Sequence, residues 1–254
     1  MPINQYDAVA DLYDIYVPAT FDIPFFLEEA QKVSGEILEL MAGTGRVSLP
    51  LLEAGARLAC VDNSADMLAV LAKKLAAKML SADLYCQDVC RLDLPRQFAS
   101  VIIPFHSFAH IVSVEDQKEA FRRIHRHLLP GGSFICTLGN PAVRRVPVDG
   151  RLRLFRKYSL SDGQGALLLW LSESFSPTDD HVVETLEFFE EYAVDGTMRS
   201  KRLMELHFRL TSRTEFENLA RSAGFAISAF YGDYTRAEFQ ADTSPYMIWI
   251  MTAL

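Results

Sequence analysis

The chain has 254 residues, with 25 Lys and Arg against 33 Asp and Glu, a formal charge of −8; half the residues are hydrophobic and 23% are charged. That composition builds a core, which excludes a disordered chain, and the length suits one large domain or one domain carrying an insertion. The acid excess argues against a protein that lives on nucleic-acid phosphates, and no apolar run approaches the roughly 18–20 residues of a membrane span.

The opening MPINQYDAVADLYD is polar and acidic, unlike a signal or transit peptide. Cys60, Cys86, Cys90 and Cys136 are scattered and read as reduced thiols of a cytoplasmic protein. Cys86 and Cys90 have no second pair to complete a zinc set, so no metal is expected. Tyr6, Val9, Tyr13 and Tyr16 follow i, i+3, i+7, i+10, which predicts one face of a leading helix.

Strand–helix alternation follows. Residues 36–41 predict a strand, 45–54 a helix, 57–62 a strand, and 64–80 an amphipathic helix carrying Met67, Leu68, Leu71, Leu75 and Met79. Strands are predicted at 84–86, 98–104 and 133–138. A helix over 115–128 is expected to stop at Pro130-Gly131-Gly132. Near-continuous apolar strands mean a parallel sheet covered on both faces. Segments 151–158, 166–175, 181–194 and 197–210 are rich in β-formers. Turn signals separate them at Asp162-Gly163, Pro177-Thr178-Asp179-Asp180 and Asp195-Gly196. They predict an antiparallel meander inserted into the α/β domain. Ser212-Arg213-Thr214-Glu215 is a capping box opening a helix over 213–223, and strands at 225–231 and 246–253 finish the chain.

The segment Glu39-Leu40-Met41-Ala42-Gly43-Thr44-Gly45-Arg46 joins the first strand to its helix. In a doubly wound sheet this turn lies at the carboxyl edge, where ligands bind. Two glycines let the backbone bend sharply and approach a ligand closely. Asp62 ends the next strand, where a carboxylate can accept hydrogen bonds from ribose hydroxyls. Together they indicate a nucleoside-containing cofactor. The dinucleotide fingerprint asks for a third Gly or Ala, and Ser48 stands there instead. Glu39 would repel a pyrophosphate but suits a cofactor with a cation at that end, such as the sulfonium and ammonium of S-adenosylmethionine.

With these residues the chain resembles the class I S-adenosylmethionine-dependent methyltransferases, in particular small-molecule enzymes with a β-sheet insertion after the fifth strand. Residues 36–45 match the first glycine-rich motif and Asp62 the ribose acid. Gln87-Asp88-Val89 matches the adenine-reading loop, and Leu129-Pro130-Gly131-Gly132 the turn before the fifth strand. Tyr6-Asp7 and Tyr13-Asp14 match a Tyr-Asp-rich leading helix.

The resemblance implies a Rossmann-like sheet of seven strands in the order 3-2-1-4-5-7-6. Residues 1–140 and 211–254 would form the catalytic domain with a helical lid, and 141–210 the β insertion, acting as lid or interface. It implies that Glu39, Ala42, Gly43, Thr44, Gly45, Arg46 and Tyr13 surround the methionine part of the cofactor. Asp62, Asn63, Met67, Asp88 and Val89 would hold ribose and adenine. Phe105 and His106 would face the sulfonium. Tyr16, His106, His110 and Trp170 would contact the acceptor, with His106 as general base; the competing readings of His106 are positioning and packing, and that of Asp88 is a loop cap. The expected reaction is in-line methyl transfer to an N or O nucleophile of a small molecule, by a cytoplasmic monomer or homodimer that binds no nucleic acid. The alternatives are RNA or protein methylation, and cofactor binding without transfer.

Overall fold

The computed structural model describes residues 5–160, 163 and 165–254. Its main sheet is built from β1 (Glu36–Leu40), β2 (Arg57–Asp62), β3 (Asp83–Cys86), β4 (Phe98–Ile103), β5 (Leu128–Gly139), β10 (Phe225–Tyr231) and β11 (Tyr246–Ala253). Their spatial order is β3-β2-β1-β4-β5-β11-β10. The order is the expected 3-2-1-4-5-7-6, with the last two strands numbered within this sheet. β1 to β5 run parallel, while β11 runs antiparallel to both β5 and β10.

Alternate residues of these strands point to opposite faces, so one sheet buries two apolar layers. Ile37, Leu58, Cys60, Ile102 and Ile248 pack against α2 (Ile23–Gln31), α3 (Ser48–Glu53) and α4 (Ala65–Lys78). Leu38, Val61, Val101, Phe134 and Trp249 pack on the other side against α5 (Val114–Arg126) and α7 (Arg213–Ser222). The Phe216 ring lies over Trp249, with centroids 4.1 Å apart and planes 23° apart. Ser64 caps α4 by accepting the Met67 amide at 3.0 Å. The capping box of α7 is complete on both arms.

A short helix, α6 (Pro141–Arg144), follows β5. A second sheet lies between it and α7 in sequence: β6 (Arg153–Ser159), β7 (Gly165–Phe175), β8 (Val182–Ala193) and β9 (Met198–Arg209), an antiparallel meander in that order. The expected turn residue Asp162 lies outside the described residues. Leu167, Leu169, Phe189, Met204 and Leu206 on its inner face bury Val9, Leu12 and Tyr16 of the leading segment. Arg202 of β9 fastens that segment by donating to the Asp11 carboxylate and the Ala8 carbonyl.

Three local expectations are corrected. The leading segment is a 3-10 turn (Gln5–Val9) followed by a short helix α1 (Tyr13–Tyr16), not one helix. The helix expected from 45 begins at Ser48, because residues 43–47 form the turn after β1. Pro130-Gly131-Gly132 does not stop α5, which ends at Arg126. It lies inside β5, in a bulge: Phe98 faces Leu128 and Ser100 faces Ser133, so four residues oppose Ala99 alone. Gly131 has φ +74°, and a Cβ on Gly132 would sit 2.8 Å from the Leu129 carbonyl oxygen.

Candidate active site

β1 and β4 are neighbours although β2 and β3 intervene in sequence, so the chain reverses its winding there and leaves a crevice at the carboxyl ends of the strands. The turn after β1 fills one side of it. Gly43 has φ +57°, and the nearest atom to a Cβ there would be the Met67 terminal methyl at 3.6 Å. Gly45 has φ +83°, and a Cβ would meet Leu71 Cδ1 at 2.3 Å. Gly43 leaves backbone open to a ligand, whereas Gly45 lets the turn press onto α4.

Asp62 at the end of β2 is held by two amides. Its Oδ2 accepts the Gly43 N–H at 2.7 Å and its Oδ1 the Ser64 N–H at 2.8 Å. Burial raises its pKa, and the Ser64, Gly43 and Asn63 amides pull it back down. Thr44 is fully buried and donates its hydroxyl to Asp14 of α1 at 2.7 Å, so the glycine turn and the leading segment are joined. Lys74 of α4 pairs with the same Asp14 and donates to the Thr44 carbonyl at 3.0 Å.

Glu39 lies under the turn, 1% exposed, and accepts the Ser48 hydroxyl at 2.6 Å. Burial pushes its pKa up to about 7. Arg46 is committed elsewhere: it grips the buried Asp22 carboxylate in a two-pronged contact at 2.5 and 2.6 Å and donates to the Ala19 carbonyl. Its guanidinium carbon sits 4.2 Å from the centre of the Phe105 ring. Asp88 caps the short turn Val89–Arg91, accepting the Cys90 amide at 2.9 Å. Val89, Met67 and Ala42 are buried, and Asn63 is exposed beside Asp62.

Beyond β4 the backbone turns through two consecutive left-handed residues, Phe105 (φ 55°) and His106 (φ 63°). Strained non-glycine backbone of this kind is held in place by its surroundings and collects at functional sites. Here the turn aims both rings at a cavity of about 250 Å³. Tyr6, Tyr13 and Tyr16 line it from the leading segment, His110 from the turn after His106, and Met204 and Phe208 from β9. The His106 ring lies 5.0 Å from Tyr246, nearly parallel, and its Nδ1 is buried with no hydrogen-bond partner among the described residues. His110 Nε2 is 3.1 Å from the Tyr6 hydroxyl. Burial pushes both imidazoles down to about 4, so both are neutral at pH 7. Burial likewise pushes the Tyr13 phenol up to about 12.

The residues fit S-adenosylmethionine. The local charge is carboxylate, since Arg46 is neutralised by Asp22, while half-buried Asp62 is bonded to backbone amides and, among the described residues, to no cation. With Lys74 taken up by Asp14, that balance favours a sulfonium and an ammonium and would repel a pyrophosphate. Residues 37–132 match the methyltransferase domain family.

The chain is a class I S-adenosylmethionine-dependent methyltransferase.

This methyltransferase is 28% identical over 223 residues to the cypemycin N-terminal methyltransferase of a Streptomyces species, covering 84% of this chain and 81% of that relative. It shares its fold with an S-adenosylmethionine-dependent methyltransferase from Clostridium acetobutylicum at a TM-score of 0.82 and 20% identity, over 98% of this chain and 99% of the other. The sugar N-methyltransferase KedS8 from Streptoalloteichus shares it at a TM-score of 0.71 and 16% identity, over 91% and 87% of the two chains.

Of the site residues expected in the methyltransferase, Tyr13, Tyr16, Phe105, His106 and His110 come together on the cavity wall. Gly43, Thr44, Gly45 and Asp62 gather at the glycine turn next to it. Trp170 does not join them. It sits on β7 opposite Leu154 and Phe188, out of phase with the inward Leu167 and Leu169, and its indole N–H donates to Glu190 at 3.0 Å. Glu187 was not expected and does line the cavity. A signal for it exists in the alternation of β8, where Val183, Thr185 and Phe189 are buried and Glu187 shares their phase.

Proposed function

We propose that this methyltransferase transfers a methyl group to an N or O nucleophile of a small molecule by in-line displacement. The cavity beside the glycine turn carries the reading. About 250 Å³ between the leading segment, the β4 turn and the inner face of the meander suits a small acceptor rather than a folded macromolecule. The charge of −8 supports the same choice against RNA, and the names of the cypemycin and sugar relatives are in keeping with a nitrogen nucleophile.

S-adenosylmethionine supplies an electrophilic methyl on a positively charged sulfur. Asp62 would hold the ribose, Asp88 and Val89 the adenine, and the Gly43–Gly45 turn the methionine part. The leading segment and the meander serve as lid and roof, excluding water and holding the acceptor in line. Cys60, Cys86, Cys90 and Cys136 are all free thiols, which supports a cytoplasmic home.

The test is release of S-adenosylhomocysteine with a panel of small amines, alcohols and acids, compared with transfer RNA and with a protein mixture. Turnover is expected with members of the small-molecule panel. Turnover confined to RNA or protein overturns the reading.

A further inference from the structure

Glu187 stands at the middle of β8 on the inner face of the meander, opposite Leu171 of β7 and Met204 of β9. One of its carboxylate oxygens, Oε2, is shut off from solvent and has no hydrogen-bond partner among the described residues. An ionised carboxylate oxygen left this way is costly, and in a native structure such a group calls for a partner or a catalytic role. The protein does not complete it here. Arg144 also lines the cavity but is paired with Glu173, whose other contact is the Thr185 hydroxyl. Arg209 reaches the wall and is paired with Asp179 at 2.7 Å. His106 and His110 are neutral, so neither balances Glu187 nor repels a cation. Much of the remaining wall is aromatic, from Tyr6, Tyr13, Tyr16 and Phe208, and ring faces attract cations.

We propose that Glu187 docks the amino group of the acceptor, and that the acceptor is a small primary or secondary alkylamine entering as its ammonium. This rests on the reading that the chain methylates a small molecule. Burial, with the Glu173 carboxylate nearby, holds the Glu187 carboxyl up at about 7, which makes it a stronger proton acceptor than an ordinary carboxylate. One N–H bond of the ammonium breaks, its proton goes to Oε2, and the electron pair stays on nitrogen. That lone pair forms the new N–C bond as the C–S bond breaks and its pair leaves on sulfur. The methylated ammonium then carries the positive charge that sulfur held. Glu187 gives its proton to solvent after the product leaves.

The experiment is a calorimetric titration of cyclohexylamine, and of cyclohexanol as its uncharged counterpart, into protein saturated with S-adenosylhomocysteine. At about pH 8 the amine is protonated and Glu187 is ionised. The amine is expected to bind at least about tenfold more tightly than the alcohol. Glu187→Gln is expected to abolish that preference while leaving S-adenosylhomocysteine affinity and the melting temperature no lower. Equal binding of amine and alcohol, no binding of the amine, or a preference that survives Glu187→Gln overturns the assignment. The wider reading fails differently, by absence of S-adenosylhomocysteine binding or by turnover on macromolecules alone.

Discussion

Asp62 takes the Gly43 and Ser64 amides on separate oxygens, which leaves a lone pair on each for a ligand hydroxyl. Asp62→Ala removes the ligand contact and strands the Gly43 amide of the turn and the Ser64 amide at the start of α4. S-adenosylhomocysteine affinity is expected to fall at least about thirtyfold, or ~2 kcal/mol, by calorimetry. A loss below about threefold would show that Asp62 is only a brace for the turn. His106 illustrates where residue identity misleads. Its place after β4 suggests a base, but burial holds it near 4, which makes it a poor proton acceptor at neutral pH. His106→Ala is therefore expected to lower turnover through lost packing and positioning, with cofactor affinity kept. The pH profile above about 5.5 should keep its shape, because the imidazole is already neutral there. A limb of the profile that disappears with the ring would restore it as a base. The glycine turn and Asp62 were legible in the sequence because their chemistry is local. Glu187 was only half legible: alternation puts it in phase with Val183, Thr185 and Phe189, but the other phase carries Leu186 and Phe188, and packing in the fold decides which phase faces inward.

At the scale of elements, period and capping settled most boundaries. β2, β10 and β11 occupy the expected spans, and the helix start predicted at the Ser212 capping box is realised, while Ser64, expected as the first residue of its helix, turns out to cap it. The failures share a cause, which is long-range pairing overriding a local signal. Pro130-Gly131-Gly132 reads as a breaker, yet pairing of β5 with β4 on both sides turns it into a bulge. The leading tyrosines keep helical spacing, but docking on the meander and on Thr44 splits the segment in two. This contrast makes a paired test. Gly45→Ala meets both a φ of +83° and Leu71, so it should destabilise by about 2 kcal/mol or more and weaken S-adenosylhomocysteine binding. Ser212→Ala loses one cap far along the chain and should cost about 1 kcal/mol with that binding unchanged. Urea unfolding and calorimetry on the two variants separate the effects. Equal binding by both would remove Gly45 from the cofactor turn.

Across the whole molecule, buried groups of two kinds act against each other as pH changes. Glu39 and Glu187 rise from a usual 4.5 to about 7 on folding, and His106 and His110 fall from 6.5 to about 4. For the carboxylates, the unfolded chain loses its protons from about pH 4.5 while the folded one keeps them until about 7. The folded state then holds more protons, so stability drops as pH rises through that window and stays lowered above it. For the histidines, the unfolded chain binds more protons between about 4 and 6.5, so stability climbs with pH there. Two descending contributions thus oppose two ascending ones between about 4.5 and 6.5. The double variant Glu39→Gln/Glu187→Gln removes the descending pair, each on the order of 3 kcal/mol. The amide introduced in place of the Glu39 carboxyl keeps an oxygen for the Ser48 hydroxyl. The variant's thermal midpoint relative to the unsubstituted protein is expected to be lowest near pH 4.5, to grow up to about pH 7, and to level off beyond it. A difference that stays constant from pH 4.5 to 7 would mean that both carboxyls ionise normally inside the fold, and that Glu187 reaches the cavity as an ordinary solvated acid.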